Sequence, residues 1–447
     1  MRLENRTKVL VTVRAFVAVL LIGSIGIGCS DDASAPKTTP AEVRILRVDT
    51  LSTNGSTRAT AYAMSNKIIT KDGKIFVSWL DYPANIMMQV FDTSTNSWGE
   101  AVEVGQGVDN HSGPALTMDN EGYFHIAFGP HHDAFQYKRS LKPMDISAWT
   151  PVERFGTGGT YPSLISDADG TLYCTYRSSS TDPWRVLFQQ RPARGTWSKP
   201  LALVDADTTG YAQFGNSLAV SADGELHMVF HIYDQKPAGG KYAGYIRSRD
   251  HGKTWESAEG RKLTLPVTPE SPCIIDQGAE LDMRTGNIAL DSNGNPWFGV
   301  IHLERSPRTV DLWHHNGQKW ETRDLQKALV TALPKREVVG AVISFDNDGA
   351  LHIASTVEDF IAPGQEYWGQ PSQEIVLLTL DTQKDQFQIL PISTPDAKLP
   401  NWIPSIERPY NHQQIGVPSL IFTHGGPGKG LIGEEGTEVI FVRVGKH

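Results

Sequence analysis

The sequence predicts an all-β fold, a seven-bladed β-propeller, and three observations carry that prediction. First, five stretches repeat an apolar strand, an Asp-and-Gly turn and a second apolar strand: Pro114–Phe128, Tyr161–Arg177, Asn216–His231, Asn287–His302 and Val342–Ser355. Second, the turn glycines, counted from an earlier, looser copy at Gly73, run Gly122, Gly170, Gly224, Gly294 and Gly349. Their gaps of 49, 48, 54, 70 and 55 residues are each long enough for four strands and three turns. Third, side chains alternate with period two through β-branched and aromatic residues, and helical periodicity is nowhere sustained.

In chain order, Arg2, Arg6, Lys8 and Arg14 precede the apolar run Ala15–Ile22 and the Gly-rich Gly23–Gly28, which reads as an export signal. Ile27-Gly28-Cys29 resembles a bacterial lipobox, so Cys29 is expected to become the lipidated N-terminus after residues 1–29 are processed. The protein is then expected to be exported and lipid-anchored at the cell envelope or surface, or otherwise secreted. Residues 30–41 read as a Pro- and Thr-containing tether, and 42–447 as the propeller. Each Asp-x-x-Gly supplies the positive-φ turn of a hairpin. A lone four-stranded sheet would expose both faces and its edges, and radial stacking covers them. A seventh, degenerate copy lies near Val417–Phe422, and the strand-like termini Val43–Val48 and Val439–Val444 are expected to pair and close the ring.

Residues 1–29 hold four basic residues and one acidic one, so their removal takes the net charge from −9 to −12. That excludes nonspecific nucleic-acid binding as a function. With Cys29 assigned to lipid, Cys174 and Cys273 make neither a disulfide framework nor a zinc cluster. The eight-residue box Ser248–Trp255 (SRDHGKTW), with looser relatives at Asn96–Trp98 and Gly317–Trp320, belongs to outer hairpins and marks the fold, not the chemistry.

In a propeller, residues just before each blade's first strand and just after its second gather on one rim. By that rule His111, Tyr161 and Tyr211 form one set, and His131 or His132, Arg177 and His231 the other, with His302 and Asn411-His412 as extensions from later blades. Each alone has an ordinary use as a hydrogen-bonded rim residue. Their convergence points to a site.

The run Asp109-Asn110-His111-Ser112-Gly113-Pro114-Ala115, the segment Gly129-Pro130-His131-His132, and Thr160-Tyr161-Pro162 with Tyr176-Arg177 resemble the BNR-4 group of seven-bladed propellers, which includes ulvan lyases. The resemblance implies a polysaccharide lyase acting on rhamnose–uronate glycans by β-elimination. It places the family's active-site histidines on His111 and His131, and its tyrosine and arginine on Tyr161 and Arg177. A second tyrosine falls on Tyr211, with Tyr233, Tyr242 or Tyr245 as alternatives.

His111 and Tyr161 are then the catalytic pair, and His131, Arg177, Tyr211 and His231 bind substrate. Arg177 is expected to neutralise the uronate carboxylate and to lower the Tyr161 pKa. A basic cleft from Arg177, Arg185, Arg191, Arg247 and Arg249 would receive the polyanion. The implied partner is an anionic polysaccharide, with no nucleic acid, a membrane only through a lipid anchor, and a monomeric protein. No cofactor is required for the chemistry, no metal ligand set is assigned, and a structural metal ion is allowed for. The competing readings are a hydrolase or lyase of the same group acting on terminal rhamnose–glucuronate linkages, and a noncatalytic glycan-binding propeller. A sialidase lacks its arginine motif here.

Overall fold

Alternating strands joined by Asp-Gly turns produce the expected ladders. The computed structural model describes residues 42–206, 208–212, 214–235, 238–278, 283–361, 368–394, 398–426, 428, 430–431 and 436–446. The expected signal, Cys29 and the tether lie outside them. Ala41–His447 is one compact unit, and the only α-helix among the described residues is the single turn Leu325–Leu329, capped by Asp324.

Three sheets are four-stranded antiparallel meanders: Phe214–Val220 to Ile274–Gln277, Met283–Leu290 to Trp320–Asp324, and Arg336–Phe345 to Gln386–Pro391. A seven-stranded sheet runs from Ala115–Met118 to Leu201–Asp205. Its central strand, Glu153–Ser166, serves two ladders. Glu153, Arg154 and Phe155 pair with Asp133–Arg139, whereas Ser163–Ser166 pair with Leu172–Ser178. A nine-stranded sheet contains the first and last strands among the described residues. Val43–Gly55 pairs antiparallel with Thr437–Lys446, from Val43↔Lys446 to Gly55↔Thr437, and meets Lys74–Asp81 only at Gly55↔Asp81.

The repeated turn has a common physical basis. At Gly349 (φ +81°) the chain takes a left-handed conformation that a Cβ disfavours. Asp346 Oδ1 accepts the backbone N–H groups of Asp348 (2.9 Å) and Ala350 (3.0 Å), while Oδ2 receives His352 Nε2 at 2.9 Å. Asp119 and Asp167 repeat this with His125 and Tyr173, each six residues on. The Asp-box behaves as expected of a fold marker: Asp250 accepts from Thr254, and Trp255 is buried.

The core lies between sheets. Tyr173, Val186 and Phe188 pack with Leu218, Leu226, Met228 and Phe230 of the neighbouring sheet, each large side chain contributing roughly 1.5–3 kcal/mol. Phe230→Ala would cost about 3–5 kcal/mol through the cavity it leaves. Packing face to face in this way fixes which strand ends meet, and these ends carry the polar cluster described next.

Candidate active site

Asp109 organises the first half of the site. Its Oδ1 accepts the His111 backbone N–H at 2.7 Å and lies 3.0 Å from His111 Nδ1; its Oδ2 lies 2.7 Å from His131 Nδ1. The two imidazoles stack with centroids 3.9 Å apart. Burial works to raise the Asp109 pKa, but the hydrogen bonds from both histidines outweigh it and hold the carboxyl well below its usual range. One ionised carboxylate therefore orients two rings.

His111 Nε2 lies 2.9 Å from Arg58 Nη1. A guanidinium only donates, so Nε2 is the acceptor and Nδ1–H faces Asp109. Burial, and after it the Arg58 charge, depress the His111 pKa against the pull of Asp109, which keeps the ring neutral. Arg58 also donates to the Tyr62 hydroxyl at 2.8 Å and to the Gly428 carbonyl at 2.8 Å. Tyr62 presents its edge to Tyr161 at 4.6 Å and lines a cavity of about 160 Å³ with His231, Arg284, Trp368 and Trp402.

Tyr161 leaves the regular ladder. Thr160 pairs with Arg177 and the next pair is Ser163 with Thr175, so one extra residue bulges out, and Tyr161 takes φ +59°. A tyrosine in that region stores about 1–3 kcal/mol, and a bulge is a means of re-aiming a side chain. The ring ends 4.5 Å from the Arg177 guanidinium, which also lies 4.9 Å from Trp184 and 5.7 Å from Tyr211. Arg177 is fully buried, its Nη1 makes a long 3.4 Å bond to the Tyr211 hydroxyl, and its Nε and Nη2 find no partner among the described residues.

The sequence pattern of BNR repeat-containing family members matches residues 70–328, more than half of the chain. The chain belongs to the BNR repeat-containing family. This BNR protein is 25% identical to an ulvan lyase of Pseudoalteromonas sp. (strain PLSV), over 67% of the chain and 71% of the relative, and 24% identical to an ulvan lyase of Alteromonas sp. (strain LOR), over 71% and 74%. Its fold is similar to that of a solved ulvan lyase bound to -[GlcA(1-4)Rha3S]-, with a TM-score of 0.67 at 16% identity over 88% of this chain and 95% of that one.

The BNR protein brings His111, His131, Tyr161, Arg177 and Tyr211 into one cluster. Tyr211, 38% exposed, lies tilted against Trp184 at 4.9 Å and is the second tyrosine beside Arg177. Of the alternatives, Tyr245 is buried on His227, and the Tyr233 side chain lies outside the described residues. His132 stacks on His131 at 4.3 Å, and burial and then Arg177 push its pKa down to about 4. His231 is buried, with Nε2 at 3.0 Å from the Gly215 N–H and Nδ1 at 3.0 Å from the Thr285 N–H. Both of its ring nitrogens therefore face backbone, and burial pushes its pKa down to about 3.

Three expectations are corrected. Tyr161 is pushed up, not down: burial raises its pKa and outweighs the opposing charges of Arg177, Arg58 and Arg284. Arg185, Arg191, Arg247 and Arg249 form no free basic cleft, because they pair with Asp205, Glu153, Glu256 and Glu225. Asn411 and His412 line a different cavity of about 200 Å³ with Asp291 and Asp346, at the hairpin turns. Arg58, Tyr62 and Trp184 were not anticipated from sequence. Their only signal is residue type, since Arg58 and Tyr62 precede the first strand of the loosest repeat.

Asp109, His111 and His131 each offer one ligand atom within 4.8 Å of the others, a spacing that a metal ion could use. The cation already 2.9 Å from His111 Nε2 opposes a second positive charge there.

Proposed function

We propose that this BNR protein is a polysaccharide lyase that cleaves ulvan-type rhamnose–uronate glycans by β-elimination, on a seven-bladed β-propeller. The carrying observation is the cluster itself: two imidazoles on one carboxylate, a buried phenol, and a buried guanidinium with two unpaired donors. The relatives named as ulvan lyases support the substrate class. The strand pairing supports the blade count. Dividing the two larger sheets at Gly55↔Asp81 and between Phe155 and Gly159 leaves, with the three meanders, seven groups, six of four strands and one of five between Ile68–Lys71 and Val102–Gln106.

The C5 proton next to a carboxylate anion is hard to remove. Arg177 Nε and Nη2 suit a uronate carboxylate bidentately, and pairing would relieve an uncompensated buried charge. Tyr211, the exposed ring hydrogen-bonded to Arg177, has to move aside to admit it. His111 Nε2 holds a lone pair and takes the C5 proton when the substrate displaces the single Arg58 Nη1 bond to it, Arg58 staying beside the ring on the Tyr62 hydroxyl and the Gly428 carbonyl. The C4–O bond then breaks, its electrons leave with oxygen, and a C4–C5 double bond forms. Tyr161, kept protonated by burial, returns a proton to the leaving oxygen. His131 holds the opposite side of the Asp109 carboxylate, and His231 backs the neighbouring wall. Charge neutralisation is supplied by arginine, so the elimination is expected to run without a cofactor. Export through residues 1–29, with a lipidated Cys29, is part of the same proposal for an enzyme acting on an external polymer.

Incubating the protein with ulvan tests this reading. Rising ultraviolet absorbance from an unsaturated uronate is expected. New reducing ends without absorbance would identify a hydrolase, and binding without cleavage a glycan-binding module.

A further inference from the structure

The segment Tyr62–Ser65 is irregular backbone at the edge of the site, and its carbonyls are not held by a ladder. The Ser65 N–H donates to the Tyr62 carbonyl at 3.0 Å, and two basic side chains hold the segment further. Lys67 Nζ lies 3.5 Å from the Tyr62 carbonyl and 3.3 Å from that of Ser65. Arg408, from the far end of the sequence, donates to the Ala63 carbonyl, to Met64 at 3.2 Å and to Ser65 at 3.3 Å. Four consecutive carbonyls are thus gripped, and the Ser65 hydroxyl donates to the Pro162 carbonyl at 2.6 Å, joining the segment to the strand that carries Tyr161.

This arrangement is costly for the fold. Lys67 is 0% exposed and Arg408 8%. Burial and then Arg408 push the Lys67 pKa well below its ordinary value, and burial pushes Arg408 down to about 9. No carboxylate is among the groups that shift either one. The nearest acid in sequence, Glu407, is spent on the N–H groups of Thr70 and Ser419. Burying a lysine and an arginine together without an anion costs more than carbonyl bonds alone return. Apolar packing of a regular strand would have been the more stable solution, and what the grip secures is the placement of Tyr62 and, through its hydroxyl, of Arg58 at His111.

We propose that Lys67 and Arg408 are positioning residues for the reaction, clamping the Tyr62–Ser65 carbonyls so that Tyr62 and Arg58 stay registered against His111 and Tyr161. The inference rests on the lyase reading for its effect on turnover, and on geometry alone for its effect on the segment.

Two measurements on the full chain test it. In Lys67→Met and Arg408→Lys, amide hydrogen exchange should accelerate in peptides covering residues 58–66 and stay at the parent rate in the three meander sheets. This holds whether or not the protein cleaves ulvan, so failure of the lyase reading shows separately, as a parent protein without unsaturated product. With an active parent, Lys67→Met should lower kcat about 10–100-fold with little change in KM, the signature of lost alignment. Arg408→Lys, which keeps a donor, should lose less than Arg408→Met. In a Tyr62→Phe background, whose hydroxyl no longer holds Arg58, the Lys67→Met loss should shrink to about 2-fold or less, because both changes act through one contact. If Lys67→Met does not fold, the Arg408→Lys exchange decides. Unchanged exchange at 58–66, or a kcat loss that is fully additive with Tyr62→Phe, would overturn the clamp.

Discussion

The Tyr161 ring lies 4.5 Å from the Arg177 guanidinium because the strand carrying it takes one extra residue immediately after Thr160, the residue paired with Arg177. The bulge moves the phenol out of the ladder and under the cation, and its cost appears as a tyrosine at φ +59°.

The Arg177 charge is buried with Nε and Nη2 unpaired, so it burdens the free protein and serves only the bound one. Arg177→Met should melt at or above the parent temperature while losing about 100-fold or more in turnover. Arg177→Lys should recover little of that rate, since an ammonium cannot pair bidentately. Thermal melts beside ulvan turnover check both. A variant that is destabilised yet fully active would remove Arg177 from the mechanism.

Asp109 holds His111 and His131 at once, so its removal should exceed the effect of losing either hydrogen bond. Asp109→Asn preserves shape but offers only one carbonyl oxygen to the two Nδ1–H groups. The expected loss is about 100-fold or more in kcat, with the protein still folded. A rate near that of the parent would mean the two tautomers need no carboxylate.

His302, read from sequence as an extension of the site, serves stability instead. It lies 2.8 Å from Glu304, 3.2 Å from Asp311 and 3.5 Å from Asp276. Burial opposes its charge, but Asp311 and Glu304 prevail and raise its pKa to about 9. A raised histidine contributes stability that is fully present below its unfolded pKa of about 6.5 and lost as pH rises through about 9. The melting temperature should therefore decline over that window, and His302→Gln should flatten the decline. An identical slope in both proteins would contradict the assignment.

What could be read from sequence follows from where the signals are local. Asp-Gly hairpins locate the turn-side ends of the strands, and counting strand lengths from them brings His111, Tyr161 and Arg177 to one rim, although the far ends run on by as much as six residues, as at Arg336 against the expected Val342. Arg58 and Tyr62 stayed hidden because the segment before Ile68–Lys71 has no turn signature, and its carbonyls are satisfied by Lys67 and by Arg408, more than three hundred residues away. Charge counting suggested a basic cleft from Arg185, Arg191, Arg247 and Arg249, since a sequence records cations without their partners. The Tyr161 shift was misjudged for a related reason. Proximity of an arginine was legible in the spacing, whereas the depth of burial that outweighs it was not.

Elimination with His111 as base and Tyr161 as acid is tested most directly by comparing the ulvan products of the parent, His111→Ala and Tyr161→Phe by mass and ultraviolet absorbance. Parent products are expected to be lighter by one water than hydrolytic ones and to absorb as unsaturated uronates, with both variants folded and slower by about 100-fold or more. Unsaturated product released by both variants at close to the parent rate would contradict it.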